Sequence, residues 1–409
     1  MPRAFSFLAI ALALMLAVAG CAPTPPSPTA APAKPTDAPK PAASPAASPA
    51  ASPAASPVAS PSPSPAALAS PAASPVAVAS PVASPVAAAP ATKPSGPLTP
   101  VAYGADFLIS GTTAPIYLAI ERGYFAEGGI DVSVSRGYGS ADAVKRAATA
   151  QADIVQGDIG TAMLLRANED AQVKVVSPLY GRVPFAVLFY EDQNIREPKD
   201  LEGKMLADAA GSAPRVIFPA FAGLTGIDPS KVNFRTVDPS TRNTVFAAGQ
   251  LEIITAFILN LADIEKLAYE ARPDRKIGAM RYADYGLDMY GNGYITSDKM
   301  LAEKPQAVAA FVEGAAKGLR DTYRDIPAAV DVVRKYAPEV DKAVGVRQLE
   351  LIRDLVLTED MLQNGIGTFQ TERLQKTREV MQQYFEMKGD LSLADVHTTQ
   401  AVPRTPIRP

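Results

Sequence analysis

The chain has 409 residues, 39 Lys and Arg against 42 Asp and Glu for a net charge of −3, one cysteine, one histidine and no tryptophan. A lone Cys21 and a lone His397 leave nothing for a disulfide framework, a Cys/His metal cluster, a Cys/His pair or a Ser/His/Asp set, so no metal or cofactor site is expected. The near balance of charge, without a basic stripe, gives no footprint for nucleic acid.

The first segment, 1–20, reads as a signal peptide. Arg3 supplies the positive start, and Phe5–Ala19 is apolar apart from Ser6. Val18-Ala19-Gly20-Cys21 resembles a bacterial lipobox, which implies a lipid on Cys21 and a cell-membrane anchor facing the extracytoplasmic side; a plain signal peptide with a chance cysteine is the alternative. Segment 21–97 reads as a linker. The stretch 22–100 holds 23 of the 39 prolines, no aromatic residue and one acidic residue, Asp37, much of it repeating Ala-Ser-Pro. It has too little apolar surface for a core, so a solvated polyproline II chain is expected, serving as a spacer or as a glycosylated stalk.

The body, 98–396, alternates strands and helices. Strands are expected at Val101–Gly104, Ile130–Ser135, Ile154–Gly157, Lys174–Tyr180, Phe185–Tyr190, Met205–Ala207, Val232–Val237, Ile253–Phe257 and Asn292–Thr296. Helices are expected at Ala114–Arg122, at Ala141–Ala150 with Ser140 as cap, at Pro214–Gly223, at Thr241–Ala248, and almost continuously from Lys304 to about Lys388. Repeated βα units imply parallel-rich sheets flanked by helices. The series restarts near 185, and the later helices need a sheet to lie on. That predicts a first lobe from 98–184 and 291–396, a second lobe from 185–290, and a hinge of two crossovers with the ligand cleft between the lobes. Residues 397–409 read as a tail, and the body as a monomer.

Gly123-Tyr124-Phe125-Ala126-Glu127-Gly128-Gly129-Ile130-Asp131-Val132 resembles the end of the first helix and start of the second strand in type II solute-binding proteins of ABC importers. The resemblance is to the branch that binds sulfonates, taurine, nitrate or thiamine-pyrimidine precursors, and it includes riboflavin binders. "GSADAVKRAATAQADIVQGD" (139–158), "PKDLEGKMLADAAGS" (198–212) and "GIDPSKVNFRTVDPSTRNTVFAAGQLEIITAF" (226–257) extend it. The implied fold is the type II periplasmic-binding-protein flytrap, and the implied partners are a small-molecule ligand and an importer's permease and ATPase subunits. A fungal relative in the superfamily is an enzyme built on His and Cys. The only His here lies beyond the last helix, so binding without catalysis is expected.

Contacts to ligand belong in loops after strand ends. Ser110, Thr112 and Thr113 form a cradle or a plain helix cap. Tyr138 and Ser140, in Gly137-Tyr138-Gly139-Ser140, offer a stacking face and free N–H donors. Asp158 accepts from a ring N–H or caps a helix. Ser212 and Arg215 follow a glycine loop; Arg242, Phe257 and Asn260 lie in similar places. Tyr180, Tyr285 and Tyr290 stand by the crossovers, as ring platforms or as hinge packing. These aromatics favour a flat heteroaromatic, riboflavin first and a thiamine pyrimidine second. A small anion, or a sensor role for the flytrap, is the alternative.

Overall fold

The computed structural model describes residues 96–409; the signal peptide, Cys21 and all but the end of the linker lie outside the described residues. Among the described residues ten strands form two five-stranded sheets. Strands β1 (Thr99–Gly104), β2 (Ile130–Ser135), β3 (Ile154–Asp158), β4 (Val173–Pro178) and β10 (Asn292–Ser297) build the first, in the order β2-β1-β3-β10-β4. The second holds β5 (Phe185–Tyr190), β6 (Met205–Asp208), β7 (Asn233–Thr236), β8 (Ile253–Phe257) and β9 (Ile277–Arg281), in the order β7-β6-β8-β5-β9. The first three strands of each order are parallel. The fourth, β10 or β5, enters from the other lobe and is antiparallel to both neighbours. Each sheet is therefore mixed, and one strand of each hands the chain across.

The crossovers, 179–184 and 282–291, are bonded to each other. Gly291 donates its N–H to Tyr180 O at 3.1 Å, and the N–H groups of Leu179 and Tyr180 both reach Asn292 O, at 2.8 and 2.9 Å. Wholly buried β5 (FAVLFY) and β10 (NGYITS) run through the middle of the sheets, as strands covered on both faces should. Two C-terminal helices touch both lobes. Thr371–Tyr384 packs on Ile159–Glu169 and on Phe218–Thr225, and Lys342–Leu351 packs on the Gly111–Thr113 turn and on Leu261–Ala271.

The Gly-Tyr-Phe stretch is architecture. Helix Ala114–Glu121 ends where Gly123 takes φ +76°, a left-handed stop that costs glycine little. Phe125 is buried and stacks on Phe311 of helix Pro305–Arg324 at 5.3 Å, and Phe311 stacks on Tyr103 of β1 at 5.5 Å. The motif thus reaches the sheet through an intervening helix.

Three expectations need correction. The Pro214–Gly223 helix is two, Ala213–Val216 and Phe218–Thr225, because Pro219 has no N–H to continue the ladder. Gly139, not Ser140, precedes helix Ser140–Ala148 as its cap, at φ +124°. Residues 397–409 lie against the first lobe: Thr398 N donates to Val175 O at 3.1 Å, Ile366 N to Ile407 O at 2.8 Å, and Ala401 is buried. Among the described residues no helix is long and apolar enough to cross a membrane.

Candidate functional site

A cavity of about 200 Å³ lies between the lobes. From the first lobe, Asp106, Phe107, Leu108, Ile109, Ser110 and Thr112 reach it after β1, Gln156 from β3, Tyr180 from the first crossover, and Gln348 from helix Lys342–Leu351. The second lobe adds Ser240, Asn243 and Thr244 after β7, Phe257 at the end of β8, Leu259 and Asn260 just beyond it, and Asp263 and Leu267 from helix Leu261–Ala271. Strand ends converge here because side chains on a twisted α/β sheet leave a crevice at that edge. Phe107, Leu108, Ile109, Phe257, Leu259 and Leu267 make the walls apolar.

Polar groups are fixed within those walls. Asp106 accepts from Gln156 Nε2 at 3.3 Å and from Asn292 Nδ2, and Gln156 Oε1 accepts from Tyr103 OH at 3.1 Å. Burial pushes the Asp106 carboxyl up to about 6. Burial also raises Asp263, against the opposing pull of its bond from Gln348 Nε2 at 2.8 Å. Gln348 Oε1 accepts from Gly111 N at 2.9 Å, so this one amide ties the first lobe to the second.

Five of the expected contacts line the cavity: Ser110, Thr112, Tyr180, Phe257 and Asn260. Thr113 stands just behind, buried, its Oγ1 accepting from Ser110 N at 3.3 Å. Arg242 is fully buried behind the wall. It donates to Asp208 Oδ1 at 2.8 Å, Asn243 Oδ1 at 3.0 Å and Asn260 Oδ1 at 2.7 Å, and so orients two amides that do line the cavity.

The remaining residues are elsewhere. Asp158 caps helix Ile159–Glu169, accepting from Thr161 N at 2.6 Å and Thr161 Oγ1 at 2.7 Å; burial pushes it up to about 7. Tyr138 is 54% exposed, with the Arg136 guanidinium over its ring. Its flanking glycines offer no free donors, since Gly137 N and Gly139 N are bonded to Phe107 O and Asp106 O at 2.8 and 2.7 Å. They are glycines because the chain is crowded: a Cβ on Gly139 would lie 2.7 Å from Gly211 O of the second lobe. Ser140 and Ser212 are buried beside that contact, outside the cavity lining. Arg215 lies over Phe234 and donates to Asp208 O and Thr236 Oγ1 at 3.1 and 2.9 Å. Tyr285 is partly exposed at the edge of Phe221, and Tyr290 OH accepts from Gln370 N at 2.8 Å as hinge packing.

Asp106, Gln156, Ser240, Thr244, Asp263 and Gln348 were not among the expected contacts. Asp106 obeys the strand-end rule and stands between β1 and the expected contact Ser110. Gln348 carries no local signal, because only tertiary packing brings its helix to the cleft.

Two mixed α/β lobes on a double crossover, closing over one cavity, define a solute-binding protein of the ABC-importer type. The chain belongs to the NMT1/THI5-like family, which it matches over residues 111–328. It is 24% identical over 288 residues, 69% of its length and 77% of the relative's, to the riboflavin-binding protein RibY of Chloroflexus aurantiacus. Its fold is shared with the alkanesulfonate-binding protein SsuA of Xanthomonas axonopodis pv. citri, at TM-score 0.56 and 12% identity over 70% of this chain and 92% of that one. The sulphonate-binding SsuA of Escherichia coli is similar at TM-score 0.52 and 12% identity, covering 70% and 86%.

Proposed function

We propose that the protein captures a flat heteroaromatic vitamin or vitamin precursor and delivers it to an importer permease, without catalysis. Riboflavin is the first choice and a thiamine pyrimidine the second. One observation carries the reading: two carboxylates, Asp106 and Asp263, line a cavity with apolar walls, and among the described residues lining it none is Lys or Arg. Arg242, which stands behind the wall, is already paired with Asp208. One buried and one half-buried carboxylate repel a sulfonate or nitrate, whereas ring N–H groups and hydroxyls suit them. The likeness to RibY supports the same choice.

Anchoring through a lipid on Cys21, with the linker as spacer, completes the proposal: the body works at the cell surface beside its permease. Titration of riboflavin fluorescence tests the ligand. Quenching that saturates at one flavin per chain is expected; unaltered fluorescence at micromolar protein, together with a melting-temperature rise in taurine or nitrate, overturns it. Cys21→Ser is expected to release the protein from the membrane fraction with ligand affinity intact. Persistence in that fraction after a high-salt wash overturns the anchor.

A further inference from the structure

We infer that Asp106 is the group that reads the ligand's ring edge, accepting a hydrogen bond from a ring N–H or ring amine; the inference rests on the heteroaromatic reading above. Asp106 lies two residues beyond β1, and its own carbonyl takes the Gly139 N–H at 2.7 Å, so its backbone is held. Gln156 and Asn292 hold its carboxylate through neutral amides. The Tyr103 hydroxyl donates to Gln156 Oε1, which turns that amide's N–H groups toward Asp106. An ionised carboxylate has about four acceptor positions; Gln156 and Asn292 are its side-chain donors, and the backbone N–H groups of Asp106 and Phe107 add support that falls short of full hydrogen bonds, so a position stays open to a ligand.

The titratable groups facing Asp106 are Asp158 at the end of β3, Tyr103 of β1 and Tyr180 of the crossover, with Asp263 across the cavity. None is a cation. Asp106 is therefore a buried anion supported by dipoles alone, in a cavity wall. Burial is graded along that wall: Asp106, Gln156 and Tyr180 are buried, while Ser240 and Thr244 are exposed. A ligand whose ring carries N–H at one edge and a polyhydroxyl or hydroxymethyl arm at the other matches this gradient, ring inward and arm outward. The geometry also joins recognition to the hinge, because Asn292, which donates to Asp106, begins β10 and accepts from both Leu179 N and Tyr180 N.

Two ring chemistries present such a donor, and proton linkage separates them. A flavin imide N–H is neutral, so its bond is lost when Asp106 takes up a proton; affinity then falls as pH drops through about 6. An aminopyrimidine has a basic ring nitrogen. One proton shared between it and Asp106 keeps a two-point pair whichever partner brings it, so affinity holds at low pH.

The test uses the full chain and measures riboflavin quenching at about pH 7.5 and about pH 5, for wild type and Asp106→Asn, with a thermal melt as fold control. For riboflavin, Asp106→Asn is expected to weaken binding roughly 10- to 100-fold at the higher pH, the size of a bond to a charged group. Wild-type affinity is expected to fall about tenfold toward the lower pH, by linkage to one proton, with no such fall in the variant. A merely structural role would weaken binding and keep the slope. If 4-amino-5-hydroxymethyl-2-methylpyrimidine binds instead, with affinity that holds at low pH and is lost in Asp106→Asn, the inference stands with that ligand. Riboflavin bound equally by both proteins, or a flat wild-type riboflavin profile, overturns it and leaves the heteroaromatic reading intact. A variant that fails to fold leaves the wild-type profile to decide. Binding of neither ring, with a thermal shift in taurine or nitrate, overturns the reading and this inference together.

Discussion

Asp208 and Arg242 are both wholly buried, and every polar atom of the pair has work. Asp208 accepts from Arg242, from Thr255 Oγ1 at 2.9 Å and from Ala209 N at 2.8 Å. Removing one partner strands the other's charge, so Arg242→Met should cost about 3–5 kcal/mol in a urea melt. It should also weaken ligand binding, since Asn243 and Asn260 lose their common donor. Asp158 gives the opposite sign. Its carboxyl is raised to about 7 by burial, so the folded state holds a proton that the unfolded chain has lost, and stability falls as pH rises from the ordinary Asp value toward 7. Asparagine still caps a helix and carries no charge. Asp158→Asn should therefore be more stable than wild type by up to about 4 kcal/mol near pH 8, the gain vanishing near pH 4 and below, as melting curves across pH would show. Tyr138, exposed and outside the cavity, should tolerate alanine with ligand affinity unchanged.

At the scale of elements, packing overrides propensity at Gly318. It sits inside the long helix Pro305–Arg324, where alanine is intrinsically better by about 1 kcal/mol. A Cβ there would lie 2.0 Å from Pro115 O, in the helix it crosses, so the helices would have to separate. Overpacking of this kind costs about 1–3 kcal/mol, and Gly318→Ala should lower the urea midpoint despite its higher propensity. The same tension decided what could be read from sequence. Strands β2, β5 and β8 have the bounds that their patterns predict, because β-branched and aromatic runs between turn residues have one reading. β9, IGAMR, was not foreseen: it is a half-exposed edge strand with neither alternation nor a continuous apolar run. The restart near 185 was legible as a lobe boundary, yet the antiparallel sense of β5 and β10 was not, since direction depends on which sheet a strand enters. At the cavity the strand-end rule found Ser110, Thr112, Phe257 and Asn260. It could not tell a lining residue from one such as Arg242 that stands behind it, and Tyr285 and Tyr290 shared with Tyr180 a place by the hinge but not its direction.

For the whole molecule, closure must be held by few contacts if a ligand is to control it. Between helix Lys342–Leu351 and the second lobe, Gln348 joins Asp263 at 2.8 Å, and Lys266 joins Asp341 at 2.6 Å just outside the helix. The second pair is exposed on both sides and screened by solvent, so it contributes little. The buried amide is the stronger tie, because its oxygen is held by Gly111 N within the first lobe while its nitrogen reaches across to Asp263. Gln348→Ala would leave Asp263 without its donor in the closed state, at a cost of about 1–3 kcal/mol charged against closure; the bond from Gly111 N lies within the first lobe and is lost whether the lobes are open or closed. An open lobe pair cannot enclose the ligand, so affinity falls by the fraction of molecules that remain closed. Small-angle scattering on residues 98–409 should show wild type contracting as ligand is added, while Gln348→Ala starts more extended and needs roughly 5- to 150-fold more ligand to reach the same radius. Ligand at a hundredfold excess over Kd should stabilise each protein by about 2.7 kcal/mol. A variant with wild-type radius and wild-type affinity would show that Gln348 lines the cleft without holding it shut; a ligand that raises the melting temperature of wild type without changing its radius would show that the lobes do not move at all.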